Sequence, residues 1–356
     1  MKNSFYRMCL LVGLFALISI SMAIGGEAYT GLFQEEADLT QKKVSDFDRP
    51  DPDGVPTKVY VGIYLIDLIS VDDVHQSFTA DFWALLRWND PRLAIENPSE
   101  TQMLRHFDTE EIWHPMTLII NRRRLFKQLD EYFRVDPAGN VQYIQRFFGE
   151  MSSLLDLRDF PFDKQRLAFQ IGSFRYGPED VEFVLDKQRI GRREQLSLVG
   201  WSTGIGHAEV TTEYLKVQDR NLARVDFIIE VERQEIFYIV KALIPLFLII
   251  FMAWAVFFVD PSVIGPQIGI PTSSIFALLL FNHRISGLLP RVSYLTRLDR
   301  FILFSIFLVF ITLGESVLTA TLAHKGKKEL SLRIDRWARY VYLILFAGVV
   351  VYSFIL

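Results

Sequence analysis

Four long apolar segments crowd the last third of this chain, and no other feature constrains its fold as much. Phe237 to Val259 is 23 residues with a single charge, Lys241, near one end. Ile264 to Leu289, Phe301 to Ala323 and Trp337 to Leu356 follow it. Each is long enough to cross about 30 Å of hydrocarbon as a helix, and Lys241 stands where its stem can carry the ammonium to the interface. Pro245 would break a helix in water but is tolerable in a packed membrane bundle. Four spans return the C-terminus to the side it left. Lys325, Lys327, Lys328, Arg333 and Arg336 mark the third connection as cytoplasmic. Arg291, Arg297 and Arg300 in the preceding connection pull the other way.

The residues ahead of these spans have a different chemistry. Positions 24–236 hold 25 Lys and Arg against 37 Asp and Glu, a net of −12, whereas 237–356 hold 11 against 5, a net of +6. The formal −4 of the 356-residue chain averages an acidic polar domain with a basic apolar one. That segregation excludes a disordered or wholly membrane-embedded protein. It also argues against nucleic acid as a partner, because the larger domain repels phosphates.

The one cysteine, Cys9, lies in Met1 to Ala23, where Lys2 and Arg7 precede the apolar run Leu10 to Ile20 and Ser21-Met22-Ala23. This order reads as a secretory signal peptide, with an uncleaved anchor as the alternative. A lipoprotein anchor fits less well, since Cys9 precedes the apolar run. Cleavage removes the only thiol, so the exported domain is expected to fold on its core without disulfides.

After a polar segment at 24–57, residues 58–236 read as strands. Val59 to Leu65, Phe78 to Trp88, Phe126 to Val135 and Val141 to Phe148 are β-branched and aromatic runs bounded by turn residues. Asp136 to Asn140 is a good hairpin connection. Arg166 to Ile171, Val181 to Leu185, Ala208 to Lys216 and Ala223 to Glu232 add further strands. Such spacing without intervening helical periodicity predicts an antiparallel, immunoglobulin-like sandwich of about ten strands.

At Phe160-Pro161-Phe162-Asp163, followed by Gln165, the chain resembles the signature loop of the pentameric ligand-gated ion channels, the Cys-loop receptor superfamily. Ser153 and Leu167 stand where the animal receptors carry their two cysteines, as in the cysteine-free prokaryotic branch. Trp88-Asn89-Asp90-Pro91-Arg92-Leu93 is similar to the family's second-strand motif, and Ile112-Trp113-His114-Pro115 to the start of its first binding loop. Arg233, Pro245 and Leu289-Pro290-Arg291 fall in the family's order. The resemblance implies a homopentamer, this chain with four identical subunits, in a bacterial inner membrane with the sandwich in the periplasm. It implies inorganic ions as cargo, a small-molecule agonist or protons as stimulus, and no cofactor or metal.

In the second span Gly269, Ser273, Phe276, Leu280, His283 and Gly287 recur at steps of four and three, so they share one helical face. A helix-packing seam gives the same pattern; the resemblance favours a pore lining. Phe276 and Leu280 would then form apolar rings that close the pore by dewetting. Gly265, Pro266 and Gln267 occupy the inner mouth, where many cation channels of the family place a carboxylate. Asp260 is near. The acidic domain would gather cations, screened over about 8 to 10 Å, while Arg284 and a protonated His283 would oppose them. Cations are the expectation.

For coupling, the resemblance brings Asp72 and Asp73, in the first turn, against the loop Phe160, Pro161, Phe162 and Asp163, with Arg233, Pro290 and Arg291 at the same junction. A carboxylate–guanidinium bridge is directional enough to transmit small displacements, and it is equally the bond of a fixed structural pair. The agonist site of the family, between subunits, maps onto Trp113, Phe174, Tyr176 and Tyr214 with Trp83 from the neighbouring face; each is also an ordinary core aromatic. His75, His106, His114 and His207 with the carboxylates offer titratable groups. Glu315, inside the third span, must face protein or water. No nucleophile, phosphate-loop or metal-ligand spacing marks an enzyme. A membrane-anchored periplasmic sensor without conductance is the alternative.

Overall fold

A computed structural model of the protein describes residues 48–51, 54–96, 103–287 and 292–355. The leader expected at 1–23 and the junction residues Pro290 and Arg291 lie outside them. Among the described residues the polar half folds as thirteen strands. They are β1 (Thr57–Asp72), β2 (Ser77–Asn89), β3 (Arg105–Phe107), β4 (Thr117–Ile119), β5 (Arg122–Lys127), β6 (Phe133–Val135), β7 (Asn140–Ser152), β8 (Lys164–Ser173), β9 (Val181–Leu185), β10 (Gly191–Arg192), β11 (Trp201–Thr203), β12 (His207–Leu215) and β13 (Arg220–Arg233). The count exceeds the expected ten because β3, β4, β6, β10 and β11 are two or three residues long, too short to show alternation in sequence. The run Phe126 to Val135, expected as one strand, is split between β5 and β6: Gln145 of β7 exchanges two hydrogen bonds with the Leu129 backbone and holds the intervening loop.

One sheet runs β10-β1-β2-β7-β6-β3, with β9 also on β1 and β5 on β7; the other runs β11-β13-β8-β4, with β12 on β13. Alternation places Val59, Val61, Ile63 and Leu65 of β1 and Phe82, Leu86 and Trp88 of β2 in the interior. They meet Phe169 and Phe227 of the second sheet, and Phe82 packs edge-on to Phe169 at 4.9 Å between centroids. Gly139 makes the β6–β7 turn at φ +78, where a Cβ would fall 2.5 Å from the Asp90 carbonyl oxygen. Glycine is therefore required at the turn the sequence marks.

Among the described residues four helices follow, α1 (Ile236–Phe258), α2 (Ile264–Ser286), α3 (Arg297–His324) and α4 (Lys328–Phe354), each long and apolar enough to cross a membrane. Pro245 cannot donate to the turn before it, and α1 widens into a π-helical segment at Ile239–Leu243 just ahead of it. Thr296 and Asp299 form a reciprocal capping box at the start of α3. α4 begins at Lys328 rather than Trp337, so Arg333 and Arg336 are helical and the cytoplasmic connection shrinks to 325–327. Arg297 and Arg300 likewise belong to α3. Charged residues at helix ends escape an apolar-run criterion because they still form helix while their heads stay in water.

Candidate functional site

β13 ends on Arg233 and α1 starts three residues later, so the guanidinium sits at the hinge between sheet and membrane. The residue is 4% exposed, and a cation at that depth needs full pairing. It has it. Nη1 and Nη2 donate to the two Asp73 oxygens at 2.9 and 2.8 Å, and Nε and Nη2 donate to the two Asp163 oxygens at 2.7 and 3.1 Å. Asp163 is itself buried and also accepts from Gln165 Nε2 at 2.6 Å. Burial works against the charge on Arg233, but its bonds to Asp73 and Asp163 more than offset it and hold the guanidinium above the ordinary arginine range. Three rings enclose the plane, with Trp201 at 4.1 Å, Phe160 at 4.9 Å and Tyr238 at 5.7 Å.

Asp72 stays outside this cluster. It bonds His75 Nδ1 at 2.8 Å, and despite slight burial the His75 backbone and ring hold it below the usual carboxylate range. Strand alternation is the reason: at the end of β1 the neighbouring side chains point to opposite faces, and only Asp73, in the turn, is carried toward the junction. Trp201 and Tyr238 were not expected here. A Trp opening a three-residue strand and a Tyr opening a span carry no local signal of a guanidinium between them.

The signature loop also grips the membrane helices. Phe160 is buried and Phe162 is edge-on to Phe354, near the end of α4, at 5.9 Å. The Arg297 and Leu298 amides donate to the Arg158 and Phe160 carbonyls at 2.9 and 3.3 Å. Tyr294 Oη accepts from the Leu157 amide, and Arg297 pairs with Asp159 at 2.8 Å while donating to the Phe354 carbonyl at 2.7 Å. One loop thus touches the start of α3 and the end of α4, while Arg233 ties it to the start of α1.

On α2 the two faces differ sharply. Gln267, Pro271, Ser274, Leu278 and Ile285 are buried in the subunit, and Gly269, Ser273, Phe276, Leu280, His283 and Gly287 are exposed. Phe276 is 62% and Leu280 71% exposed. Gln267, expected at the inner mouth, turns into the subunit and donates to the Val259 carbonyl at 3.0 Å. Asp260 pairs with Lys328 at 2.8 Å and with Ser262, and those contacts hold its carboxyl below the usual range.

The expected agonist residues divide. Trp113 is 2% exposed, donates from Nε1 to Tyr176 Oη at 3.0 Å and packs on Trp88, so it backs Tyr176 from the core. Phe174 and Tyr214 are exposed, the Tyr214 hydroxyl donating to Asp219 at 2.5 Å. Trp83 lines a 220 Å³ pocket on the other sheet with Leu129, Asp130, Tyr132, Arg134, Gln142 and Ile144. None of the other four reaches that pocket. Among the histidines, His114 is half-buried against Phe133, and partial burial, with Lys127 beside it, lowers it to about 4. Glu315 meets a protein partner: it contacts Asp335 of α4, and all four carboxylate oxygens are buried with no donor among the described residues.

A sandwich seated on four spans, with a buried ion cluster and an aromatic-proline loop between them, is the build of a membrane channel subunit. Comparison with known proteins agrees. Residues 36–235 match the neurotransmitter-gated ion-channel ligand binding domain and residues 242–344 the neurotransmitter-gated ion-channel transmembrane region. The chain belongs to this family of pentameric ligand-gated ion channels; it is a multi-pass membrane protein and not an enzyme. It is 27% identical over 274 residues to a proton-gated ion channel of Gloeobacter violaceus, covering 77% of this chain and 75% of the relative. It is 23% identical to a gamma-aminobutyric acid receptor subunit beta of Lymnaea stagnalis, over 75% of this chain and 56% of that one. A gamma-aminobutyric acid receptor subunit theta of Mus musculus is 25% identical over 78% of this chain and 45% of its own length.

Proposed function

We propose that five copies of this chain surround a pore lined by α2, in a bacterial inner membrane with the sandwich in the periplasm, and conduct inorganic cations. The observation that carries this reading is the division of α2. A helix in lipid has no reason to expose glycine, serine and histidine in one stripe, whereas a helix lining water does. The same stripe holds Phe276 and Leu280, whose five-fold rings would close the pore by dewetting.

The net charge of the outer domain supports cations. Asp260 contributes less than its position suggests, since Lys328 neutralises it. In the coupling step the Asp73–Arg233–Asp163 cluster carries motion of the sandwich to α1, and the loop at Phe160, Pro161 and Phe162 carries it to α3 and α4. The stimulus is a small molecule or protons, received between subunits at Phe174, Tyr176 and Tyr214 with Trp83 of the adjacent copy; Trp113 shapes the wall. Purified protein in planar bilayers, stepped through pH and ligand panels, tests the proposal. A pentamer that opens supports it; a silent monomer sinks it.

A further inference from the structure

The β12–β13 hairpin carries a charged cluster that the coupling junction does not use. Glu209, Thr211 and Glu213 alternate along β12 and share one face. Across the ladder they stand opposite Asp226, Arg224 and Leu222. Arg224 donates from Nη2 to Asp226 Oδ2 at 2.6 Å, from Nη1 to Glu213 Oε2 at 2.9 Å and from Nε to Thr211 Oγ1 at 3.1 Å. One guanidinium therefore serves two carboxylates. The third, Glu209, is the direct cross-strand neighbour of Asp226, and like charges so placed weaken a ladder.

Asp226 bears the strain of this arrangement. It is 5% exposed, its side chain is 7% exposed, and its Oδ1 is buried with no donor among the described residues. An ionised carboxylate left with an unmet buried oxygen beside a second carboxylate is costly. The acid form loses the charge and brings a donor of its own. The other neighbouring strand offers no relief: β8 sets Gln170 against Asp226 and Ala168 against Ile228, and its Arg166 stands opposite Glu230, further along. On β12 the remaining titratable group of this face is His207, exposed and opposite Ile228. Burial raises Asp226 above the usual carboxylate range, the pull of Arg224 opposes this, and Glu209 and Glu213 add to the rise.

We propose that Asp226 is a proton-binding site that sets how firmly the β12–β13 hairpin is held. Taking up the proton ends the repulsion with Glu209 and leaves Arg224 to Glu213. When the strands separate, Asp226 returns to solvent and to a value near 3.8. The paired strands bind the proton more tightly, so pairing strengthens as pH falls from above the raised value toward 3.8 and weakens as pH rises. The tip of this hairpin carries Tyr214, so the inference rests on the reading of that end of the sandwich as the place where the stimulus is received.

Hydrogen exchange on the full-length protein in detergent, corrected for intrinsic rates, tests it. Protection of 207–215 is expected to rise as the pH is stepped from about 7.5 down to about 4. Asp226→Asn should show the acid-like protection at both values. Wild-type protection that stays flat, or a variant that keeps the wild-type change, overturns the proposal. Should Asp226→Asn not assemble, Glu209→Gln removes only the facing charge and is expected to move the transition to lower pH; an unmoved transition overturns it. A transition abolished by His207→Gln instead would also overturn it. No readout here is a current, so a protein that never conducts would sink the channel reading alone.

Discussion

Asp163 and Arg233, 70 residues apart in sequence, share two hydrogen bonds of 2.7 and 3.1 Å at the hinge between the sandwich and the first membrane helix. Both side chains are almost wholly buried. Asp73 completes the set from a third stretch of chain, so the end of β13, the signature loop and the first turn are held by one guanidinium.

Truncating that guanidinium strands a buried carboxylate. Arg233→Ala is expected to cost about 3 to 5 kcal/mol, read as a lowered thermal midpoint, and Asp163→Ala should be similar. Asp73→Ala should cost less, because Asp73 is more exposed, and Asp72→Ala should be close to neutral. Equal effects for Asp72 and Asp73 would contradict the geometry.

The exposed stripe of α2 makes a conduction prediction. Phe276→Ser or Leu280→Ser should wet the closed pore and give leak or activation at lower stimulus, while Leu278→Ser, on the buried face, should instead lower stability by about 2 to 4 kcal/mol. Gating unchanged in both exposed variants would discard the gate. Reversal potentials in asymmetric NaCl fix the sign of selectivity, and a shift toward the chloride potential would refute the cation preference.

His114 makes stability depend on pH. It is neutral in the fold, with Nδ1 accepting from the Met116 amide at 3.2 Å, and it is lowered to about 4 from 6.5. Between those values the unfolded chain binds the extra proton, so stability falls as pH drops from 6.5 and the loss is complete below about 4. The loss is expected to reach roughly 2 to 3 kcal/mol. His114→Gln should remove this part of the slope in denaturation curves taken across the window.

Glu315 and Asp335 face each other, their four oxygens buried and given no hydrogen bond by another group among the described residues. Glu315→Gln puts an amide donor between them and should raise stability by about 1 kcal/mol. A lowered thermal midpoint would show that the carboxyl has a donor of its own.

Much of this protein was legible in sequence because its physics is local. Twenty apolar residues in a row have few folds open to them, and Pro, Gly and Asn after alternating strands mark turns whatever surrounds them. The stripe on α2 could be read from periodicity, since helical spacing fixes which residues share a face. The short strands could not, because two or three residues carry no period and become strands only when a neighbour supplies the hydrogen bonds. The helical start of α4 was hidden for a related reason: Arg333 and Arg336 look like loop when charge alone is counted.

Sequence by itself determined that an acidic sandwich precedes four apolar spans, that Phe160 to Asp163 resemble the family's signature loop and that Arg233 lies at the boundary. Only tertiary structure decided that Asp73 rather than Asp72 pairs with Arg233, that Trp201 and Tyr238 enclose it, that Trp113 is core and that Asp226 faces Glu209. Those outcomes depend on which residues a pleat or a crossing loop turns toward one another. A pairing energy between distant positions exists only after the chain has brought them into a shared, water-poor space.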